Sequence, residues 1–236
     1  MISLLAYGAV SAALFVSGVQ QGGDPASLVA HAFKIPGPSY EIAQVEDGAR
    51  VDVYGAPDGK VVTRIGDETE FGSRRVLYVA RRSGDWFGTP LPELPNGELG
   101  WIRADPAQLE FRRTSYSLRT DLSRREVDIR WGKRLIRRIP VTVGAAGSET
   151  PPGTFSVTDG LAGADLGPWY GCCVLALSGH QPNLPPGWLG GNRIAIHGSP
   201  APIGGAASHG CLRASDRDMV TLFALVPLGA PVFVRA

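Results

Sequence analysis

Ile196-His197-Gly198-Ser199 followed by Ser208-His209-Gly210-Cys211-Leu212-Arg213 is the stretch on which the reading of this chain turns. It sets a thiol between a glycine and an arginine-bearing segment, with two histidines upstream. A nucleophile, a base and backbone free to turn are the parts of an acyl-transfer site. An isolated thiol ionises near about pH 8.5, and a neighbouring base or helix N-terminus lowers that to roughly 3.5–7.5. Ser215 reads as a helix N-cap, with Asp218 at the capping-box position in place of the usual Glu or Gln. Met219, Val220, Phe223 and Val226 would form the apolar face, and Pro227 would end the helix. Cys211 then lies just before a helix N-terminus, where free amides and the dipole favour an anion. Gly210 lets the backbone turn so that its own amide and that of Cys211 point at a developing oxyanion.

Spacing helps to choose the base. His197 ends the apolar run Ile194-Ala195-Ile196, which reads as a buried strand delivering its last side chain to a site. His209 is two residues from Cys211, so its ring diverges from the thiol or contacts substrate. Zinc is disfavoured, because Cys172, Cys173, His180, His197, His209 and Cys211 show no paired Cys-x2-Cys or His-x3-5-His spacing. A papain-like arrangement would place the cysteine before the histidine, the reverse of the order here.

The motif resembles the signature of the L,D-transpeptidases, whose YkuD-type catalytic domain cross-links bacterial cell wall. The resemblance implies that His197 pairs with Cys211 and that the Gly198 carbonyl holds the other ring nitrogen. It extends from about Ser117 to Arg235, through Pro140-Val141-Thr142-Val143-Gly144, Thr150-Pro151-Pro152-Gly153-Thr154-Phe155 and Gly167-Pro168-Trp169-Tyr170. Ser208 and His209 would position substrate. Arg213 would clamp a carboxylate, or else pair with Asp216 or Asp218. One departure is the ten residues between His197 and Ser208, fewer than is usual in the family, which implies a tighter loop. The implied reaction releases D-alanine from a tetrapeptide stem of peptidoglycan through a cysteinyl thioester, with neither metal nor organic cofactor. The rival readings are an L,D-carboxypeptidase using the same thioester and a non-catalytic wall-binding protein.

The rest of the chain frames this segment. A net charge of +1 across 236 residues offers no footprint for nucleic acid, and a hydrophobic content of 44% suits a folded protein. The arginine pairs 112–113, 124–125 and 137–138 read as solvated strand edges rather than a surface for an anionic polymer. Residues 1–23 read as a secretory signal or membrane anchor, since Ile2–Val19 is uncharged and mostly apolar. The expected location is therefore extracytoplasmic, in cell wall or periplasm.

The expected fold is mostly β. Short strands at Ala49–Tyr54, Val61–Ile65, Val76–Ala80, Asp85–Gly88 and Gly100–Arg103 suggest a small barrel over 40–108. Together with Trp86, Asn96-Gly97 and Trp101, they resemble bacterial SH3-type modules. Those tryptophans would complete its core, or else stack on a peptide or glycan. Pro106–Arg113 reads as a linker, and 115–236 as the β-rich catalytic domain with a short helix after the nucleophile. There Glu126–Trp131, Gly132-Lys133 and Leu135–Val143 make a hairpin. Adjacent Cys172 and Cys173 read as small apolar strand residues without a function, since a bridge between neighbours strains the backbone.

Overall fold

Val51 and Val53 alternate with Arg50, Asp52 and Tyr54, so a strand through these residues buries one face and wets the other. The computed structural model describes residues 37–188 and 190–236, and the expected leader at 1–23 lies outside them. The described chain is mostly β, with a single α-helix. Its first half contains β1 (Tyr40–Val45), β2 (Arg50–Tyr54), β3 (Val61–Gly66), β4 (Val76–Tyr78), β5 (Arg81–Ser83), β6 (Trp86–Thr89), β7 (Gly100–Arg103) and β8 (Leu109–Thr114). They form a three-stranded sheet, β4-β1-β8, and a five-stranded sheet, β3-β2-β7-β6-β5. Between them lies a core that includes Val45, Val53, Phe87, Ile102 and Leu109.

One feature corrects the expectation for this half. Pro106–Arg113 is not a linker: Leu109–Thr114 pairs antiparallel with Tyr40–Val45 along its whole length. The charges at Glu110, Arg112 and Arg113 hid the strand, because its partner, 64 or more residues away at each register pair, supplies the stabilising ladder. Trp86 is buried against the edge of Tyr54, with ring centroids 4.9 Å apart, and belongs to the core. Trp101 is only partly buried.

The second half continues with β9 (Tyr116–Asp121), β10 (Glu126–Trp131), β11 (Arg134–Pro140), β12 (Val143–Gly144), β13 (Gly153–Ala162), β14 (Cys173–His180), β15 (Arg193–Gly198), β16 (Ala206–Ser208), β17 (Leu212–Ala214), α1 (Asp216–Leu225) and β18 (Pro231–Arg235). One eight-stranded sheet runs β11-β10-β9-β18-β13-β14-β15-β17. Its pairings are antiparallel except β18 with β9 and β15 with β17. A second apolar core, including Leu118, Ile129, Phe155, Leu177, Ile196 and Leu222, fills this half.

Helix α1 begins where the capping residues place it. Ser215 Oγ accepts the Asp218 amide at 3.2 Å and donates to the Asp218 carboxylate at 2.7 Å. Its inner face is Met219 and Leu222, followed by Val226, whereas Val220 and Phe223 are 58% and 42% exposed. Met219 and Val226 are buried as expected, and Leu222 stands in place of Val220 and Phe223 because it completes the i, i+3, i+7 row that meets the sheet.

The described residues form one compact unit, although their apolar cores divide near Thr114–Tyr116. Asn96 joins the halves through two reciprocal bonds: its amide donates to the His180 carbonyl at 2.6 Å and its oxygen accepts the His180 amide at 2.8 Å.

Candidate active site

His197 and Arg213 are register partners on the parallel strands β15 and β17. Paired side chains share a face, and Cys211, immediately before β17, opens on the same cleft. All three line one cleft of about 390 Å³, together with Trp169, Tyr170, Trp188 and His209. The sheet thus gathers residues that are 14 or more positions apart in the chain, namely Cys211 and His197.

His197 is buried, and its Nδ1 lies 2.6 Å from the carbonyl oxygen of the next residue, Gly198. A carbonyl can only accept, so Nδ1 carries the proton and Nε2 keeps the lone pair. Desolvation lowers the pKa of the ring, the Gly198 bond opposes that, and the Arg213 charge adds to the lowering. The ring of Tyr170 sits 4.9 Å away, centroid to centroid. Gly198 is held close to the start of α1: a Cβ there would overlap the Asp216 carboxylate.

Cys211 is half-buried, with Sγ 3.9 Å from the Arg193 carbonyl. Burial raises its pKa, outweighing the Ala195 amide and the Arg213 charge. This reverses the expected depression by a helix N-terminus. Strand β17 separates Cys211 from α1, and the capping hydroxyl of Ser215 already occupies the Asp218 amide. At rest, therefore, the site holds a neutral thiol and a neutral imidazole.

The remaining expected residues divide. His209 is exposed on the cleft wall, its ring 4.8 Å from that of Trp188. Arg213 has no carboxylate partner among the described residues: Asp218 pairs with Arg137, and Asp216 accepts the Cys172 amide at 3.0 Å. Ser208 does not line the cleft. It is buried, and its Oγ donates to the Cys211 carbonyl at 2.6 Å while accepting the Gly210 amide at 3.2 Å. That bond also removes Gly210 from the expected pair of oxyanion donors in this state. Cys172 and Cys173 form a disulfide with each other, contrary to the expectation of free strand residues.

Sequence reading passed over Trp188 and Gln181, and placed Trp169 in a family-like segment without giving it a role. Trp169 is 71% exposed at the cleft rim, following a proline in a short 3-10 turn. No residue pattern marks Trp188 or Gln181, because distant loops bring them to the cleft.

A model of the L,D-transpeptidase catalytic domain, YkuD, matches residues 115–234. YkuD proteins of Bacillus licheniformis and Bacillus subtilis are 30% and 27% identical over 121 and 122 residues, or 50% and 51% of this chain. The matches span 65% and 66% of those proteins, just under two thirds of each. Among solved structures, an L,D-transpeptidase from Mycobacterium smegmatis is 16% identical with a TM-score of 0.42, covering 66% of this chain and 80% of its own. One from Enterococcus faecium is 21% identical with a TM-score of 0.40, covering 51% and 50%. Since the family's domain accounts for more than half of the sequence, the chain belongs to the L,D-transpeptidase family.

Proposed function

We propose that the protein is a peptidoglycan L,D-transpeptidase acting outside the cytoplasm, where amide bonds must be made by exchange because no ATP is present to activate a carboxyl group. The observation that carries this reading is the convergence of Cys211 with the register partners His197 and Arg213 in one cleft. As the Cys211 sulfur bonds to the carbonyl carbon before the terminal D-alanine of a tetrapeptide stem, His197 Nε2 takes the thiol proton. The Cys211 amide donates to the oxyanion, a contribution on the order of 3 kcal/mol. The imidazolium then passes its proton to the departing D-alanine amine as the C–N bond breaks, leaving a thioester. An amine from a neighbouring stem attacks that thioester and gives its proton to His197, which returns it to sulfur as the new amide forms. Such proton transfer is worth about 10²–10⁴-fold. Arg213 binds a stem carboxylate.

The N-terminal half, read as an SH3-like module over 40–108, would hold the enzyme against the wall. Incubation with a tetrapeptide-stem digest tests the reaction. The expected result is cross-linked dimers, free D-alanine and an acyl adduct on Cys211, all abolished in Cys211→Ala. Tripeptides without dimers would turn the assignment to carboxypeptidase, and absence of any adduct would favour a wall-binding protein.

A further inference from the structure

Gln181 belongs to none of the groups that touch the reacting atoms in the proposed mechanism, yet it is 3% exposed and fully engaged beneath the nucleophile loop. Its Nε2 donates toward the carbonyls of Ser148 at 3.0 Å, Glu149 at 2.9 Å and His209 at 3.4 Å. Its Oε1 accepts the Asn183 amide at 2.9 Å, and its own backbone amide donates to Asn192 at 2.7 Å. One buried amide therefore ties together the 145–150 loop, the base of the 181–192 loop and the peptide two residues before Cys211.

The fit at Gly210 is equally specific. Gly210 has φ of +108°, and a Cβ there would overlap Gln181 Nε2. Glycine is required both by the backbone angle and by the packed amide. Ser208 stiffens the loop internally, but Gln181 and the Ala145 amide, 2.9 Å from the Ser208 carbonyl, fasten it to the remainder of the site.

We propose that Gln181 is a positioning residue that holds the 208–211 loop so that the Cys211 sulfur stays enclosed and aligned with His197. The catalytic half of this inference rests on the transpeptidase reading, whereas the loop-holding half does not. Gln181→Met keeps the volume and removes the donors. Gln181→Glu keeps the shape and turns an acceptor toward three carbonyls, which repels them.

The test follows alkylation of Cys211 by iodoacetamide across pH, read on its peptide by mass spectrometry, beside melting temperature and turnover of tetrapeptide stems. Both variants are expected to alkylate at least about threefold faster, and Gln181→Met to show a lower pH midpoint because the sulfur regains water, a fall that the added charge of Gln181→Glu opposes. Turnover is expected to fall about 10–100-fold in kcat with KM nearly unchanged, the scale of a small misplacement of reacting groups. A purely structural role would lower the melting temperature while leaving the alkylation midpoint of the folded protein where it is. An unchanged midpoint and rate overturn the proposal, as does failure of both variants to fold. If the wild type turns over no stem peptide, the transpeptidase reading falls and the alkylation comparison still decides whether Gln181 holds the loop.

Discussion

Ser208 closes a hydrogen-bonded ring under Cys211, reaching the Cys211 carbonyl at 2.6 Å and the Gly210 amide at 3.2 Å. Removing the hydroxyl leaves both partners short of a bond inside the protein. Ser208→Ala is expected to lower stability by about 1–3 kcal/mol, read from the urea midpoint. Turnover should fall in kcat more than in KM, because the ring shapes the loop and does not touch substrate.

Gly198 is pinned between β15 and the start of α1. Alanine there would drive its methyl into the Asp216 carboxylate and crowd Cys172. We expect Gly198→Ala to cost about 1–3 kcal/mol through overpacking, and to displace the carbonyl that orients His197. Adding Asp216→Ala should recover part of the stability in chemical denaturation, although it leaves the Cys172 amide without its acceptor.

Acid and base should destabilise the protein through different members of the site. His197 has its pKa lowered below the ordinary 6.5, so the unfolded chain takes up a proton first as pH falls. Its contribution is complete above 6.5 and is lost as pH drops through the folded value. Cys211 is raised above 9.0, so the unfolded chain loses its proton first as pH rises. That contribution is complete below 9.0 and is lost as pH climbs through the folded value. Denaturation across pH should show a plateau between these limits, and Cys211→Ala should flatten the alkaline fall.

Asn96 couples the two halves at the strand end that precedes Gln181. Asn96→Ala removes both reciprocal bonds. At about 1 kcal/mol for each bond, the expected fall in melting temperature is about 4–8 °C, measurable by scanning calorimetry. Retention of the wild-type melting temperature would show that these bonds are replaced by water without loss.

Much of the site is local and therefore readable in order along the chain. The apolar run before His197, the cap at Ser215 and the order of histidine before cysteine are each contained in a few neighbouring residues. The same locality explains why β10 and its hairpin were found, with Glu126–Trp131 matching the observed strand. Strand β8 escaped because its charges disguise a ladder partner that lies far away in sequence, in β1. The face of α1 was read correctly at Met219 and Val226 but missed Leu222, because helical periodicity permits neighbouring stripes and only the sheet beneath selects Leu222 over Val220 and Phe223.

Residue order alone settles which chemical groups this chain carries and that they belong to an L,D-transpeptidase domain, since thiol, imidazole and turn glycine sit in one short segment. Packing settles their state. Whether Cys211 rests as thiol or thiolate, whether Ser208 faces inward, and whether Arg213 is left free of carboxylates depend on desolvation and on partners delivered by other strands. Those effects fall off within a few ångströms in space and have no counterpart in distance along the chain.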